Sequence, residues 1–116
     1  MDITTKCIHG VENKTHNTGA ISVPIYQSAT FAHPGVGQST GYDYSRLQNP
    51  TREHLEKLVA NLEQGIDAIA FSTGMAAITT LMELFTNGDH IIASGDLYGG
   101  TVRLFQHICV NTTTLK

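Results

Sequence analysis

The chain is 116 residues long, 41% hydrophobic and 15% charged, with eleven glycines, three prolines and a formal net charge of −3. That length fits one domain, and with Lys6, Lys14, Arg46, Arg52 and Arg103 scattered there is no basic field for nucleic acid or an anionic membrane. No apolar run approaches the roughly 20 residues of a membrane span.

The opening Met1-Asp2-Ile3-Thr4-Thr5-Lys6 lacks the apolar core of a secretory signal. Without one, the glycosylation patterns Asn13-Lys14-Thr15 and Asn111-Thr112-Thr113 carry no meaning. Cys7 and Cys109 are too few for a disulfide framework and suit a reduced, cytoplasmic setting. Six histidines show no metal-ligand spacing beside cysteine or acid and read as surface or core residues, so no metal is expected.

Residues 1–48 show no sustained helical or strand period, and Gly19, Pro24, Pro34, Gly35, Gly37 and Gly41 punctuate them. Ile21-Ser22-Val23-Pro24-Ile25-Tyr26 could be extended, though Pro24 argues against a central strand. An irregular segment this long is unusual inside a compact domain. It reads as an arm that packs on something else, such as a partner subunit, with disorder as the alternative.

The pattern changes at Asn49-Pro50-Thr51, where an N-cap asparagine and a proline at the first helical position predict a helix start. Leu55, Leu58, Val59 and Leu62 form its apolar stripe, and Gly65 is placed to end it. Ala68-Ile69-Ala70-Phe71 has strand length, Ser72-Thr73-Gly74 breaks it, and residues 75–85 read as a mostly apolar, buried helix. Asn87-Gly88-Asp89 predicts a turn, His90-Ile91-Ile92-Ala93-Ser94 a second strand, and Thr101 to about Val110 a third helix. Val102, Phe105, Ile108 and Cys109 lie on one side of that helix.

Strand, helix, strand, helix is the pattern of an α/β fold with parallel strands and a right-handed crossover. Two strands alone leave mostly open edges, and residues 111–116 stop where a third strand is expected. Residues 49–116 therefore read as an incomplete α/β domain.

In such sheets ligands bind beyond the carboxyl ends of the strands. Here those ends carry Ser72-Thr73-Gly74-Met75 and Gly95-Asp96-Leu97-Tyr98-Gly99-Gly100. The first turn opens a helix whose N–H groups and dipole favour an anion, by roughly 0.3–1 kcal/mol and up to ~2 when partly buried. Gly74 permits close approach, the Thr73 hydroxyl adds a hydrogen bond, and the Tyr98 ring suits stacking on a planar ligand. Each feature is weak alone, because every α/β unit has a small turn and a lone tyrosine usually packs. There is neither a P-loop lysine nor a dinucleotide fingerprint. Arg46, on irregular chain before a capped helix, can present a donor fork to a phosphate; taken singly it reads as a surface ion-pair residue.

Together these stretches resemble the pyridoxal-phosphate enzymes of sulfur amino-acid metabolism, among them cystathionine γ-synthase, the cystathionine lyases, O-acetylhomoserine sulfhydrylase and methionine γ-lyase. Tyr44-Ser45-Arg46-Leu47-Gln48-Asn49-Pro50-Thr51 matches the family's Y-S-R-x-x-N-P-T run. Thr73-Gly74-Met75-Ala76-Ala77 resembles its S-G-M-A-A phosphate turn, with threonine for serine, and Leu97-Tyr98-Gly99-Gly100-Thr101 its L-Y-G-G-T segment. Ile21-Ser22-Val23-Pro24-Ile25-Tyr26-Gln27-Ser28-Ala29-Thr30-Phe31 is similar to its N-terminal P-I-x-x-T/S-A-T-F stretch, and the likeness fades after about Ile108.

The resemblance implies the start of a fold-type I pyridoxal-phosphate transferase large domain, preceded by a subunit-contacting arm over residues 1–48. It implies that Gly74 and Met75 give backbone N–H groups to the cofactor phosphate, with Thr73 beside them, and that Tyr98 stacks on the pyridine ring. Tyr44 and Arg46 would reach the phosphate of a neighbouring subunit's cofactor, in a dimer pair within a tetramer. The substrate would be an amino acid of the homoserine-ester, cystathionine, cysteine or methionine type.

One departure is large. The family's Schiff-base lysine lies in a Ser-x-Thr-Lys context, whereas this chain offers Lys6, Lys14, Lys57 and Lys116, none in that context. No catalytic residue is therefore assigned, and the chain alone is expected to be inactive. A non-catalytic partner subunit keeping the dimer surface is the alternative reading, and a small phosphate-binding α/β protein unrelated to vitamin B6 is a third.

Overall fold

A computed structural model describes residues 1–11 and 19–109. The expectations made for Lys14, the two glycosylation patterns, Val110 and residues 111–116, Lys116 among them, lie outside these residues. The chain divides into two compact units, Met1–Ala70 and Phe71–Lys116.

The first unit opens with a helix that the sequence pattern did not announce, α1 (Ile3–His9), capped by the Asp2 carboxylate, which accepts from the Thr4 N–H at 3.2 Å. It buries none of its residues, which is why no apolar stripe marks it. Its exit packs on α2 (Pro50–Leu62), where Asn61 Nδ2 donates to the Gly10 carbonyl at 3.1 Å.

The start of α2 is as expected. The Asn49 side chain accepts from the Thr51 N–H at 2.9 Å, and Pro50 occupies the first turn, where its missing donor costs nothing. Leu58 and Leu62 are half-buried, Leu55 and Val59 are exposed, and the buried members of the helix are Pro50 and Ala60.

The helix end differs from expectation. Gly65 donates to the Ala60 carbonyl at 2.8 Å, but the residue in the left-handed region is Gln64, at φ 57°. Gln64 N–H points to the Asn61 carbonyl at 3.4 Å, completing a Schellman closure with glutamine where glycine usually sits.

The irregular stretch before α2 fastens onto its N-terminus. Thr51 Oγ1 accepts from the Tyr26 N–H at 2.9 Å and donates to the Pro24 carbonyl at 3.3 Å, while Asn49 Nδ2 donates to the Tyr26 carbonyl at 3.1 Å. The described residues hold one β contact, an antiparallel bridge between Thr30 and Tyr44. Around it Phe31 N–H donates to the Asp43 carbonyl at 3.1 Å and Ser45 N–H to the Ala29 carbonyl at 2.9 Å.

In the second unit, α3 (Gly74–Met82) is followed by the predicted turn, where Asp89 N–H meets the Thr86 carbonyl at 3.1 Å and Gly88 takes φ 103°. Next, α4 (Gly99–Arg103) passes directly into a π-helical turn, Leu104–Cys109. The wider i→i+5 winding places Cys109 in register with Leu104, and these two with Thr101 are the buried residues. The predicted side of Val102, Phe105, Ile108 and Cys109 thus missed Leu104, because a 3.6-residue period does not describe this turn.

Two expectations fail. Among the described residues, neither 68–71 nor 90–94 carries a strand ladder. An apolar run supplies strand tendency, but a strand exists only beside a hydrogen-bonded neighbour. Ile69 and Ile92 remain 71% and 98% exposed. For the same reason α3 buries none of its residues, contrary to the buried helix expected from its composition: among the described residues no strand ladder covers Leu81.

No helix among the described residues is long and apolar enough to cross a membrane. They also hold no cluster of three or more His, Cys, Asp or Glu side chains able to bind a metal.

Candidate functional site

The expected site residues fall into two local clusters, one in each unit. In the second unit the first turns of α3 and α4 meet. The Thr73 hydroxyl caps α3 by accepting the Ala76 N–H at 3.0 Å, and the Thr73 carbonyl takes the Ala77 N–H at 3.2 Å. Gly74 and Met75 keep backbone N–H groups with no partner among the described residues, as the geometry of a helix start requires.

The start of α4 lies alongside. Thr101 Oγ1 is 3.8 Å from Met75 Sδ, and a β-carbon built on Gly100 would stand 3.0 Å from that sulfur and 2.6 Å from Tyr98 Cε1. Tyr98 is 72% exposed, so its ring offers a face to solvent, and it shares the border of Gly100 with the Met75 side chain. Unpartnered N–H groups at a helix start next to an accessible aromatic face suit a ligand with an anionic tail and a planar ring. The chain's own residues therefore fit the group that the motifs implied.

The second cluster is the turn of residues 44–48. Leu47 and Gln48 N–H groups close onto the Tyr44 carbonyl at 2.9 and 3.0 Å, and Asn49 Nδ2 donates to Ser45 Oγ at 2.8 Å. Ser45 Oγ in turn donates to the Ser28 carbonyl. The guanidinium carbon of Arg46 sits 5.0 Å from the centroid of the Tyr44 ring, a cation–π arrangement, and both side chains are exposed.

Beside the turn, Tyr42 donates to Glu53, which also accepts from Lys57. The Glu53 bond and desolvation push the Tyr42 hydroxyl up from 10.0 to about 12, and Lys57, then Tyr42, hold the Glu53 carboxyl below its ordinary range. A cleft of about 500 Å³ opens here, lined among others by Tyr42, Asn49, Arg52, Glu53 and Lys57.

The residue that the sequence reading passed over is Arg52. Its guanidinium donates to the carbonyls of Ser45 at 3.2 Å, Arg46 at 3.5 Å and Leu47. A signal was present: a cation in the first turn of a helix opposes the helix dipole, so an arginine there requires another reason.

A sequence model of the Cys/Met metabolism PLP-dependent enzymes matches residues 4–115. The chain belongs to that family. It is 50% identical over 110 residues to the cystathionine beta-lyase of Lactococcus lactis subsp. cremoris (strain MG1363), covering 95% of this chain and 29% of that protein. It is 57% identical over 90 residues to the cystathionine gamma-synthase/O-acetylhomoserine (thiol)-lyase of Bacillus subtilis (strain 168), covering 78% and 24%.

Among solved structures, cystathionine gamma-lyase from Lactobacillus plantarum, complexed with L-serine, superposes with a TM-score of 0.87 at 45% identity. That superposition covers all of this chain and 30% of the other. The chain thus spans under a third of the length of these relatives. Membership removes the reading of an unrelated phosphate-binding protein.

Proposed function

We propose that the chain is the N-terminal part of a pyridoxal-phosphate enzyme of transsulfuration, with the start of a fold-type I large domain. It acts on a homoserine-ester, cystathionine, cysteine or methionine type of amino acid. Gly74 and Met75 donate their N–H groups to the cofactor phosphate, the Thr73 hydroxyl borders it, and Tyr98 covers one face of the pyridine ring. Tyr44 and Arg46, on the subunit-contacting arm of residues 1–48, serve the phosphate of a neighbouring subunit's cofactor in a dimer pair within a tetramer. Two cysteines, Cys7 and Cys109, are too few for a disulfide framework and suit a cytoplasmic setting.

The observation that carries this reading is the meeting of the α3 and α4 first turns, with Gly74 and Met75 N–H groups unpartnered and the Tyr98 ring beside them. When bound, pyridoxal phosphate supplies an electron sink for bonds at the substrate's α-carbon. The chain's own contribution is to hold and orient it. Lys57 is engaged by Glu53, and none of Lys6, Lys14, Lys57 and Lys116 has the family's lysine context, so no residue of this chain is assigned the covalent role.

Titration of the purified chain tests this. Pyridoxal phosphate binds saturably, and Tyr98→Ala weakens it about tenfold, the order expected for a lost stacking contact, while inorganic phosphate is unaffected. Equal loss for both ligands would remove the ring contact, and absence of saturable binding would remove the site. The chain alone shows no C–S cleavage; a borohydride-trapped lysine adduct together with such cleavage would overturn the non-covalent assignment.

A further inference from the structure

Arg52 occupies the third position of α2, where its charge works against the helix. Its side chain instead turns back past the N-cap to the turn of residues 44–48. Nη1 donates to the Ser45 and Arg46 carbonyls and Nη2 to the Leu47 carbonyl. On the other side its Nε faces Glu56 Oε1 at 3.5 Å, and that same oxygen accepts the Ala70 N–H at 2.9 Å.

Three successive carbonyls aimed at one point form a local negative pole. A planar guanidinium, with several donors in fixed directions, satisfies them together, which a flexible point charge does less well. With its carbonyls held by Arg52 and its Ser45 hydroxyl by Asn49, the turn places the exposed Arg46 side chain over the Tyr44 ring.

We propose that Arg52, braced by Glu56, is a positioning residue that fixes the 45–47 carbonyls and thereby holds the Arg46 guanidinium over Tyr44 as a phosphate-binding fork. What Arg46 meets rests on the function proposed above; the hold of Arg52 on the turn does not.

The test uses the full 116-residue chain, its Arg46 side-chain resonances assigned by NMR. The ring current of Tyr44 shifts the Arg46 δ-protons upfield, which reports the stacked geometry directly. Arg52→Gln abolishes most of that shift and weakens pyridoxal phosphate binding read at Arg46 about tenfold, as expected for lost charge-assisted hydrogen bonds. Arg52→Lys restores part of both, Glu56→Gln diminishes both to a smaller degree, and Lys6→Gln on α1 changes neither. An unchanged Arg46 shift in Arg52→Gln overturns the proposal. Should that variant lose α2 helicity by circular dichroism, Arg52→Lys and Glu56→Gln decide, and unchanged shifts in both overturn it. If the unsubstituted chain shows no response of Arg46 to pyridoxal phosphate or inorganic phosphate, the phosphate role of Arg46 fails, while the ring-current series still decides Arg52.

Discussion

The Tyr98 ring lies against the Cα of Gly100, with no room between them for a side chain: a β-carbon there would stand 2.6 Å from Cε1 and 3.1 Å from Cδ1. Met75 Sδ closes the other side at 3.0 Å. A side chain here displaces the Tyr98 ring or the Met75 thioether, and the constraint is one of space, since the φ of Gly100 is not in the left-handed region. Gly100→Ala drives the ring away from the first turn of α3. Tyr98 ring resonances move and pyridoxal phosphate affinity falls about tenfold, with inorganic phosphate affinity unchanged. Unmoved Tyr98 resonances would refute the packing argument.

The Tyr42–Glu53–Lys57 network ties the arm to α2 and predicts pH dependence on both sides of neutrality. Glu53 has a lowered pKa in the fold, held first by Lys57 and then by Tyr42. Its stabilisation is present above the unfolded carboxyl value of roughly 4.3 and is lost as pH falls through the folded value. Tyr42 is raised from 10.0 to about 12, so its contribution is complete below 10 and disappears as pH rises across that interval. Tyr42→Phe costs about 1 kcal/mol at neutral pH and flattens the alkaline decline. Denaturant titrations at pH 7 and across the alkaline interval measure it, and an identical alkaline slope in the variant contradicts the assignment.

Asn49 serves three partners at once: it caps α2 through Thr51 N–H and donates to the Tyr26 carbonyl and to Ser45 Oγ. Asn49→Asp keeps the cap but loses both donors, whereas Asn49→Ala loses everything. The expected losses are about 1 kcal/mol for aspartate and ~2 for alanine. Equal losses in chemical denaturation would show that the two donor bonds, and not the cap, carry the effect.

Gln64 adopts φ 57° at the end of α2, a conformation that costs a non-glycine residue roughly 1–2 kcal/mol. Gln64→Gly relieves this but adds chain entropy to the unfolded state, for a net gain of about 0.5–1 kcal/mol. A melting temperature that rises by a few degrees confirms it; a fall would mean that the glutamine side chain contributes something the backbone geometry does not show.

Much of the local structure was legible because its causes are local. Asn49-Pro50 starts a helix and Asn87-Gly88-Asp89 turns the chain through contacts spanning a few residues, whereas the capping of α3 by the Thr73 hydroxyl emerged only from the structure. The family motifs were legible for the same reason, as short runs of residues each needed at one spot. Helix α1 escaped notice because an exposed helix leaves no apolar stripe, and only Asp2 marked it.

The sequence by itself determined the family, the start of α2 at Asn49-Pro50, and the residues 73–75 and 98 as the candidate cradle. Only the tertiary structure decided that Met75 and Gly100 are neighbours, that Arg52 reaches three carbonyls of the preceding turn, and that the helix after Tyr98 unwinds to a π-helical turn burying Leu104. It also decided that residues 68–71 and 90–94 form no ladder. Capping and turn chemistry are fixed by neighbours along the chain, whereas strand pairing and burial depend on which distant surface arrives to meet a segment, and composition cannot name that surface.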